Sequence, residues 1–115
     1  MVQVDSSSLY GTVNLLILKT VSHGPVHGLG IARGIQHSSG DLLRIEEGAL
    51  YPALQRLERD GLLSSTWGKS ERNRRAKFYR LTARGADRLA REVEAWVRQT
   101  RAICDVLEVA WTVTA

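Results

Sequence analysis

The segment between residues 46 and 81 constrains the fold of this chain more than any other part of the sequence. In its first half, Leu50, Leu54 and Leu57 follow one another at steps of four and three residues, the spacing of one apolar face of an α-helix. The dipeptide Asp60-Gly61 follows, and glycine suits the left-handed conformation that ends many helices. This half of the segment therefore predicts a helix that buries one side and stops at Asp60-Gly61.

The other side of this predicted helix is polar or small. It comprises Gly48, Pro52, Gln55 and Arg59, with Tyr51 and Arg56 at its edges. Pro52 has no N–H and is tolerated only near the start of a helix. We therefore expect the helix to begin close to Gly48, with residues 46–49 forming its approach.

The second half of the segment predicts a β-hairpin, with two short strands joined by a long basic connection. The strands are residues 62–67 and 76–81, and the connection is residues 68–75, with four cations and one anion. Alternation places Lys77 and Tyr79 on one face of the second strand, and Phe78 and Arg80 on the other. We expect Phe78 to belong to the core.

The remaining sequence predicts two helices before this segment and one long helix after it. The first runs from Leu9 to about Val21 after the possible caps Ser6-Ser7-Ser8, and the second runs from about His27 to His37. The second is expected to bury Leu29, Ile31, Ala32 and Ile35. Leu42 to Ile45 could add a short strand beside the hairpin. The fold class is therefore mostly α with a small β-hairpin, a winged helix-turn-helix over residues 1–81.

Thr82 is well placed to cap the final helix, over residues 82–115, which carries a heptad pattern of apolar residues. The pattern comprises Leu89, Val93, Trp96, Ile103 and Leu107, with Thr100 as its polar member. A small winged-helix body cannot cover such a seam alone. We therefore expect a second copy of the chain to pack against it, so that this helix forms a homodimer.

Basic residues are concentrated in one quarter of the sequence. Residues 68–91 contain nine Lys/Arg and two Asp/Glu, whereas the rest of the chain contains seven and ten. This distribution favours a surface that faces a polyanion, and a winged helix places its helix in the major groove of DNA and its wing on the backbone. The predicted contacts with double-stranded DNA are Gly48, Ala49, Tyr51, Gln55 and Arg56 of the helix, and Lys69, Arg72, Arg74, Arg75 and Lys77 of the hairpin.

Two of these contacts have a chemical interpretation and an alternative. Gln55 suits adenine, and the Tyr51 hydroxyl could donate to a phosphate while its ring packs on the wing, or Tyr51 could be a partly buried core residue. For the whole protein, the alternative is a winged-helix module that binds another protein or structured RNA. Steep salt dependence of binding to a palindromic duplex would distinguish the two.

The sequence gives little support to enzymatic or metal chemistry. The run Gly28 to Gly34 is similar to a dinucleotide-binding loop, but its third glycine is one residue late and no strand precedes it. His23 and His27 are separated by Gly24-Pro25, so they cannot share a helical face as zinc ligands would. No nucleophile or paired-carboxylate pattern occurs. We expect no enzyme activity, no metal and no cofactor.

The sequence also favours a cytoplasmic protein that does not cross a membrane. Cys104 is the single cysteine, so an internal disulfide is impossible, as suits a reducing compartment. The N-terminus has no signal-peptide pattern, and the longest apolar run, Leu15 to Leu18, is too short to span a bilayer.

The sequence resembles the PadR family of transcriptional regulators, in the short branch with a single C-terminal dimerisation helix. The resemblance is carried by LYPALQRLERDGLL at residues 50–63, NRRAKFYRLT at 73–82, Gly85, His27-Gly28 and Ile31. It implies a homodimer that binds a palindromic promoter site, usually as a repressor, and that a small aromatic effector can release. Relatives often carry Ser or Thr where this chain has Ala49.

Trp96 lies in the middle of the predicted seam, near the axis of the expected dimer. Its ring could simply fill the interface. In a drug-responsive branch of the family, paired tryptophans at the matching position line an open pore and sandwich a planar ligand, so the resemblance implies a possible effector site at Trp96. Thr100, one turn further on, suits such a site because a polar residue tolerates water or a hydrogen-bonding ligand.

Overall fold

The computed structural model of the protein describes residues 11–110. The elements are α1 (Val13–Val21), β1 (Val26–His27), α2 (Gly28–Ser38), α3 (Glu47–Arg59), β2 (Leu63–Lys69), β3 (Arg75–Leu81) and α4 (Ala83–Leu107). The strands form one antiparallel sheet in the order β1-β3-β2. Helices α1 to α3 and the β2–β3 hairpin, called the wing below, form the winged helix-turn-helix that the sequence predicted. The predicted long C-terminal helix is α4.

Helices α1 and α2 support the rest of the domain. Helix α1 begins at Val13, after Thr12 and after Gly11 with its φ of 88°; the predicted start at Leu9 lies outside the described residues. The proposed caps Ser6-Ser7-Ser8 lie outside the described residues. Helix α2 begins at Gly28, where Nδ1 of the His27 side chain accepts a hydrogen bond of 3.0 Å from the N–H of Gly30.

Helix α3 ends where the sequence predicted. Gly61 has a φ of 77°, its N–H donates to the carbonyl of Glu58 at 3.0 Å, and the N–H of Leu62 donates to the carbonyl of Leu57 at 2.9 Å. This pair of hydrogen bonds is the Schellman arrangement that satisfies the last carbonyls of a helix. The helix is therefore closed by its own backbone before β2 begins.

The start of α3 differs from the prediction. The helix begins at Glu47, so Pro52 is its sixth residue and lies inside it instead of at its start. Four buried side chains lie around this position: Leu50, Ala53, Leu54 and Leu57. Their packing keeps the helix continuous despite the hydrogen bond that proline cannot donate, because tertiary packing provides most helical stability in proteins.

The sheet has a third strand at a place the sequence did not indicate. Val26 pairs with Tyr79 and His27 pairs with Phe78, so β1 occupies the free edge of β3. The predicted strand at Leu42–Ile45 does not form: within this connection between α2 and α3 the single residue Leu43 is in a β-bridge. In the wing, pairing extends to Lys69 and Arg75, which leaves five connecting residues instead of eight.

The two faces of β3 alternate as predicted, but the face of Tyr79 points into the core and not the face of Phe78. Tyr79 is buried in the core, whereas Phe78 is half-buried on the opposite face, with its ring 5.5 Å from that of His27 in an edge-to-face contact. Leu63 and Leu81 pair across the hairpin and share the side of Tyr79, so their burial fixes the register.

The core lies between the three N-terminal helices and the inner face of the sheet. It comprises Ile17, Leu18, Val21, Ile31, Ile35, Ile45, Leu50, Ala53, Leu54, Leu57, Leu62, Leu63, Tyr79 and Leu89. Leu29 was expected to join it but is 45% exposed. At 100° per residue Leu29 lies about 200° around α2 from Ile31, on the outer side of the helix.

Helix α4 is anchored to the body by its first two turns. The hydroxyl of Thr82 accepts a hydrogen bond of 3.0 Å from the N–H of Gly85 and donates one of 2.7 Å to the carbonyl of Gly61. Gly85 packs so closely that a Cβ there would lie 2.1 Å from the carbonyl oxygen of Leu62. Leu89 is buried in the core of its own chain, so the prediction that it belongs to the dimer seam is wrong.

Candidate nucleic-acid interface

Helix α3 turns its polar side away from the core. The exposed residues include Gly48, Tyr51, Pro52, Gln55, Arg56 and Arg59. They lie opposite the buried leucines, as the 3.6-residue period predicted. An exposed, polar second helix of a helix-turn-helix has the position and character of a recognition helix.

A groove of about 570 Å³ separates α3 from the wing, and we call it the helix–wing groove. It brings together five of the ten predicted contacts: Tyr51, Gln55, Arg74, Arg75 and Lys77. Among the described residues that line it, three are Lys or Arg and none is Asp or Glu. The groove is therefore a positive, concave surface beside the recognition helix.

The tip of the wing has a defined backbone and exposed cations. The N–H of Ser70 donates to the carbonyl of Arg74 and the N–H of Asn73 donates to the carbonyl of Ser70, both at 2.8 Å. Asn73 has a φ of 58°, a left-handed conformation that asparagine tolerates better than most residues. Lys69, Arg72, Arg74 and Arg75 are all exposed. These side chains can therefore approach a polyanion without reorganisation of the backbone that carries them.

Lys77 differs from the other predicted contacts because it is paired with an acid of α3. Its Nζ lies 3.1 Å from Oε1 of Glu58, whose Oε2 accepts a hydrogen bond from the hydroxyl of Ser65. The bond from Ser65, and then those with Lys77, lower the pKa of Glu58 although partial burial opposes them; the bond to Glu58 raises the pKa of Lys77. Lys77 therefore links α3 to the wing, and this geometry does not favour its predicted phosphate contact.

Trp67 is a groove residue that the sequence analysis missed. Its side chain is 59% exposed, and the guanidinium carbon of Arg75 lies 4.3 Å from the centroid of its ring. This cation–π contact holds Arg75 beside the groove. A tryptophan in a basic hairpin is the feature of the sequence that could have predicted this role, because tryptophan is enriched at binding interfaces.

Tyr51 lies between α2 and the wing, and its predicted phosphate contact stays a prediction. It is 44% exposed and is not a core residue. Its ring packs on the first turn of α2, since a Cβ added to Gly28 would lie 2.8 Å from Cε1 of Tyr51, and it shares the lining of the helix–wing groove with Tyr79 of the wing. Glycine at position 28 therefore allows Tyr51 to lie at the edge of the helix–wing groove.

The other predicted contacts lie outside this groove. Gly48, Ala49 and Arg56 line a depression of about 440 Å³ at the start of α3, together with Pro52 and residues of α1. Arg72 lines a cleft of about 230 Å³ between the wing tip and the start of α2. Lys69 is exposed at the end of β2. The predicted residues thus form a group of five in the groove and a group of three at the start of α3, with Arg72 and Lys69 apart from both.

The remaining predicted surface lies on α4. Val93, Trp96, Ile103 and Leu107 are exposed by 41%, 40%, 48% and 63%. We call them, with the half-buried Thr100, the α4 seam. The opposite side of the helix is exposed and charged: Arg91, Glu94, Arg98, Arg101 and Asp105. A helix with one charged side and one exposed apolar side has the pattern of an interaction helix.

Residues 11–110 contain no helix long and apolar enough to cross a membrane. In the same range, no group of His, Cys, Asp and Glu side chains is large enough to hold a metal ion. The helix-turn-helix, the exposed polar side of α3 and the basic wing together define a DNA-binding transcriptional regulator of the winged-helix class.

Comparison with known proteins identifies the family. Residues 17–91 match the "Transcriptional regulator PadR-like family", so the chain belongs to the PadR-like family of transcriptional regulators, as the sequence motifs predicted. Members of this family are regulators of transcription and not enzymes.

Solved structures agree with this assignment. A transcriptional regulator from Clostridium thermocellum is 29% identical and covers 87% of this chain and 97% of its own, with a TM-score of 0.78. A PadR family regulator from Eggerthella lenta is 34% identical, covering 87% and 85%, with a TM-score of 0.70. A PadR-like regulator from Bacillus cereus shares the fold at 23% identity, with 91% and 100% covered and a TM-score of 0.75.

Proposed function

We propose that the protein is a homodimeric, cytoplasmic repressor that binds a palindromic DNA site, with one half-site held by each chain. The observation that carries this proposal is the helix–wing groove. It places the polar side of α3 beside Arg74 and Arg75, with no acid among the described residues that line it. Base edges offer hydrogen bonds to the helix, and phosphates attract the wing cations.

The α4 seam supports the dimer. Val93, Trp96, Ile103 and Leu107 span four turns of one helix and remain exposed in the single chain. A second copy of α4, packed about a two-fold axis, would cover this surface with an identical one. Two equivalent recognition helices about 34 Å apart would then favour half-sites about 10 bp apart, or a multiple of that spacing. The proposed sign of regulation follows from the PadR-like family, whose members usually act as repressors; a dimer bound over a promoter would block transcription there.

The wing contribution is testable through the salt dependence of DNA binding. If each wing neutralises about three phosphates, the dimer releases about six counterions, and log K falls with log salt at a slope near −5. Replacing Arg74 and Arg75 by alanine removes two of these cations from each chain, so the expected slope is near −2. The measurement is the binding constant for duplexes selected from a random pool, determined by titration at several salt concentrations between about 50 and 200 mM.

The matched control removes the same number of arginines elsewhere. Arg98 and Arg101 lie on the charged side of α4, away from the seam, so their double alanine variant should keep the wild-type slope. An unchanged slope in the Arg74/Arg75 variant would exclude the wing from the interface. A wild-type protein that ignores duplex DNA and instead binds a protein or structured RNA would contradict DNA regulation and support the interaction-module alternative.

We further propose that a planar aromatic effector binds between two copies of Trp96 in the dimer. Trp96 is 40% exposed in the middle of the seam, and the half-buried Thr100 lies one turn further on. A ligand there releases DNA only to the extent that it prefers the dimer geometry that does not bind DNA. If two Trp96 rings pack directly against each other, the interface is closed and no effector enters.

Tryptophan fluorescence distinguishes the open site from the closed one. Flat aromatic cations and phenolic acids are titrated into the wild type and into Trp96→Ala, which still contains Trp67 and Trp111. We expect saturable quenching in the wild type that disappears in the variant. Equal quenching in both proteins, or none in either, would show that Trp96 only fills the interface.

A further inference from the structure

Gly48 is the second residue of α3, and no contact among residues 11–110 requires glycine there. Its φ is not in the left-handed region, and a Cβ added to it would meet no atom of the described residues within 4 Å. Gly28 and Gly85 differ, because a Cβ at either position would collide with the chain itself. Glycine is among the least favourable residues in a helix. On the exposed side of the recognition helix, glycine leaves room for another molecule to approach the backbone closely.

Pro52 lies one turn after Gly48 on the same exposed side. An α-helix satisfies the carbonyl of residue 48 with the N–H of residue 52, and proline has no N–H to donate. The preceding turn is regular, since the N–H of Leu50 donates to the carbonyl of Glu46 at 2.9 Å. The carbonyl oxygen of Gly48 is therefore left without its helical donor, and both residues line the same depression of about 440 Å³.

If α3 binds duplex DNA as proposed, a carbonyl oxygen on its exposed side needs a hydrogen-bond donor on the DNA. Phosphate oxygens are acceptors and repel it. In the major groove the donors are the N6 amino group of adenine and the N4 amino group of cytosine. Ala49 has no hydroxyl that could compete for the same group.

We propose that the backbone carbonyl of Gly48 reads one base in each half-site by accepting a hydrogen bond from the exocyclic amino group of adenine or cytosine. Pro52 keeps this carbonyl out of the helix hydrogen-bond pattern, and Gly48 lets the backbone of α3 come close to the base edge. Guanine and thymine place carbonyl acceptors on their major-groove edges, so they are disfavoured. The inference rests on the proposed function and adds two specificity-determining residues to it.

Pro52→Ala tests the role of the freed carbonyl. The alanine N–H can bond to the carbonyl of Gly48, so the acceptor is used inside the helix. We expect wild type to favour adenine or cytosine at one half-site position by about tenfold, and the variant to lose that preference while other positions keep theirs. The unfolding midpoint should rise, because a proline leaves the interior of a helix. Pro25→Ala, at the other proline of the chain, is the matched control and should keep the full preference.

An atomic version of the test removes the amino group from the DNA instead. In the duplex preferred by wild type, adenine is replaced by purine, or cytosine by 2-pyrimidinone, each of which lacks the exocyclic amino group. Wild type should lose about tenfold in affinity for the altered duplex. Pro52→Ala should bind the altered and unaltered duplexes equally, since coupled groups give a non-additive double-mutant cycle.

Gly48→Ala tests the close approach separately. Its Cβ would enter open space in the free protein, so the fold should be retained and the unfolding midpoint should not fall. Affinity for the preferred duplex should fall at least tenfold, because the methyl group would occupy the space of the base edge. Normal affinity in Gly48→Ala, or an unchanged base preference in Pro52→Ala, would overturn the inference. If wild type selects no duplex, the proposed function itself fails, which is a different result.

Discussion

Gly85→Ala is expected to destabilise the fold by about 3 kcal/mol or more, a large part of the stability of a small domain. The added Cβ would lie 2.1 Å from the carbonyl oxygen of Leu62 and 2.8 Å from Cδ1 of Leu81. A side-chain tip can move aside, but Leu62 is held by its backbone between α3 and β2. The first turn of α4 must therefore separate from the body. Urea unfolding followed by circular dichroism measures the loss.

Gly48→Ala is the matched control for this stability prediction, because the same methyl group is added where it meets no atom of residues 11–110. Its expected effect is a gain smaller than the roughly 1 kcal/mol that alanine has over glycine in a helix interior, because residue 48 lies in the first turn. If Gly85→Ala unfolds at the same urea concentration as wild type, the close contact between α4 and Leu62 is not present in solution.

Ile103→Asp is expected to convert the proposed dimer into a monomer or an aggregate. Ile103 is 48% exposed in the single chain and lies in the α4 seam between Thr100 and Leu107. In a dimer the new carboxylate would face the partner seam without a counter-charge, which is among the most destabilising changes at an interface. Light scattering should give twice the chain mass of 12.8 kDa for wild type and a single chain mass for the variant. Affinity for a two-half-site duplex should fall by about 100-fold or more, because avidity is lost.

Arg101→Asp is the control for the charge itself. Arg101 lies two residues earlier, on the charged and exposed side of α4, so an acid there should leave the dimer intact. Wild-type protein that remains a monomer at micromolar concentration would contradict the dimer before any variant is made. Dissociation by both variants would show that net charge, and not burial at the seam, controls assembly.

The elements with strong local patterns were predictable from the sequence. Each of these patterns lies within a few residues of the chain. The leucines and the Asp60-Gly61 stop predict α3, and the Thr82 cap predicts the start of α4 after the wing. The exposed side of α3 was also predictable, because a 3.6-residue period assigns both faces of a helix at once.

The features that the sequence did not predict correctly depend on contacts between residues far apart in the chain. Strand β1 has two residues, too few to show alternation, and it exists only because β3 offers a free edge. The inward position of Tyr79 depends on which side of the hairpin meets the helices, a choice that alternation alone leaves open. The pairing of Lys77 with Glu58 joins residues 19 positions apart, and no local pattern announces it. Pro52 remained inside α3 because tertiary packing outweighed a local preference.

The short junction at Thr82 determines which half-site spacing the proposed dimer can bind. Thr82 is the single residue between β3 and α4. It forms hydrogen bonds with Gly61, Leu62 and Gly85, so the orientation of α4 relative to the wing is fixed. In a dimer joined through α4, the crossing angle of the two helices would fix the phase of both recognition helices on the duplex. Each base pair turns the duplex by about 34°, so a spacer one base pair too long would rotate one half-site out of reach.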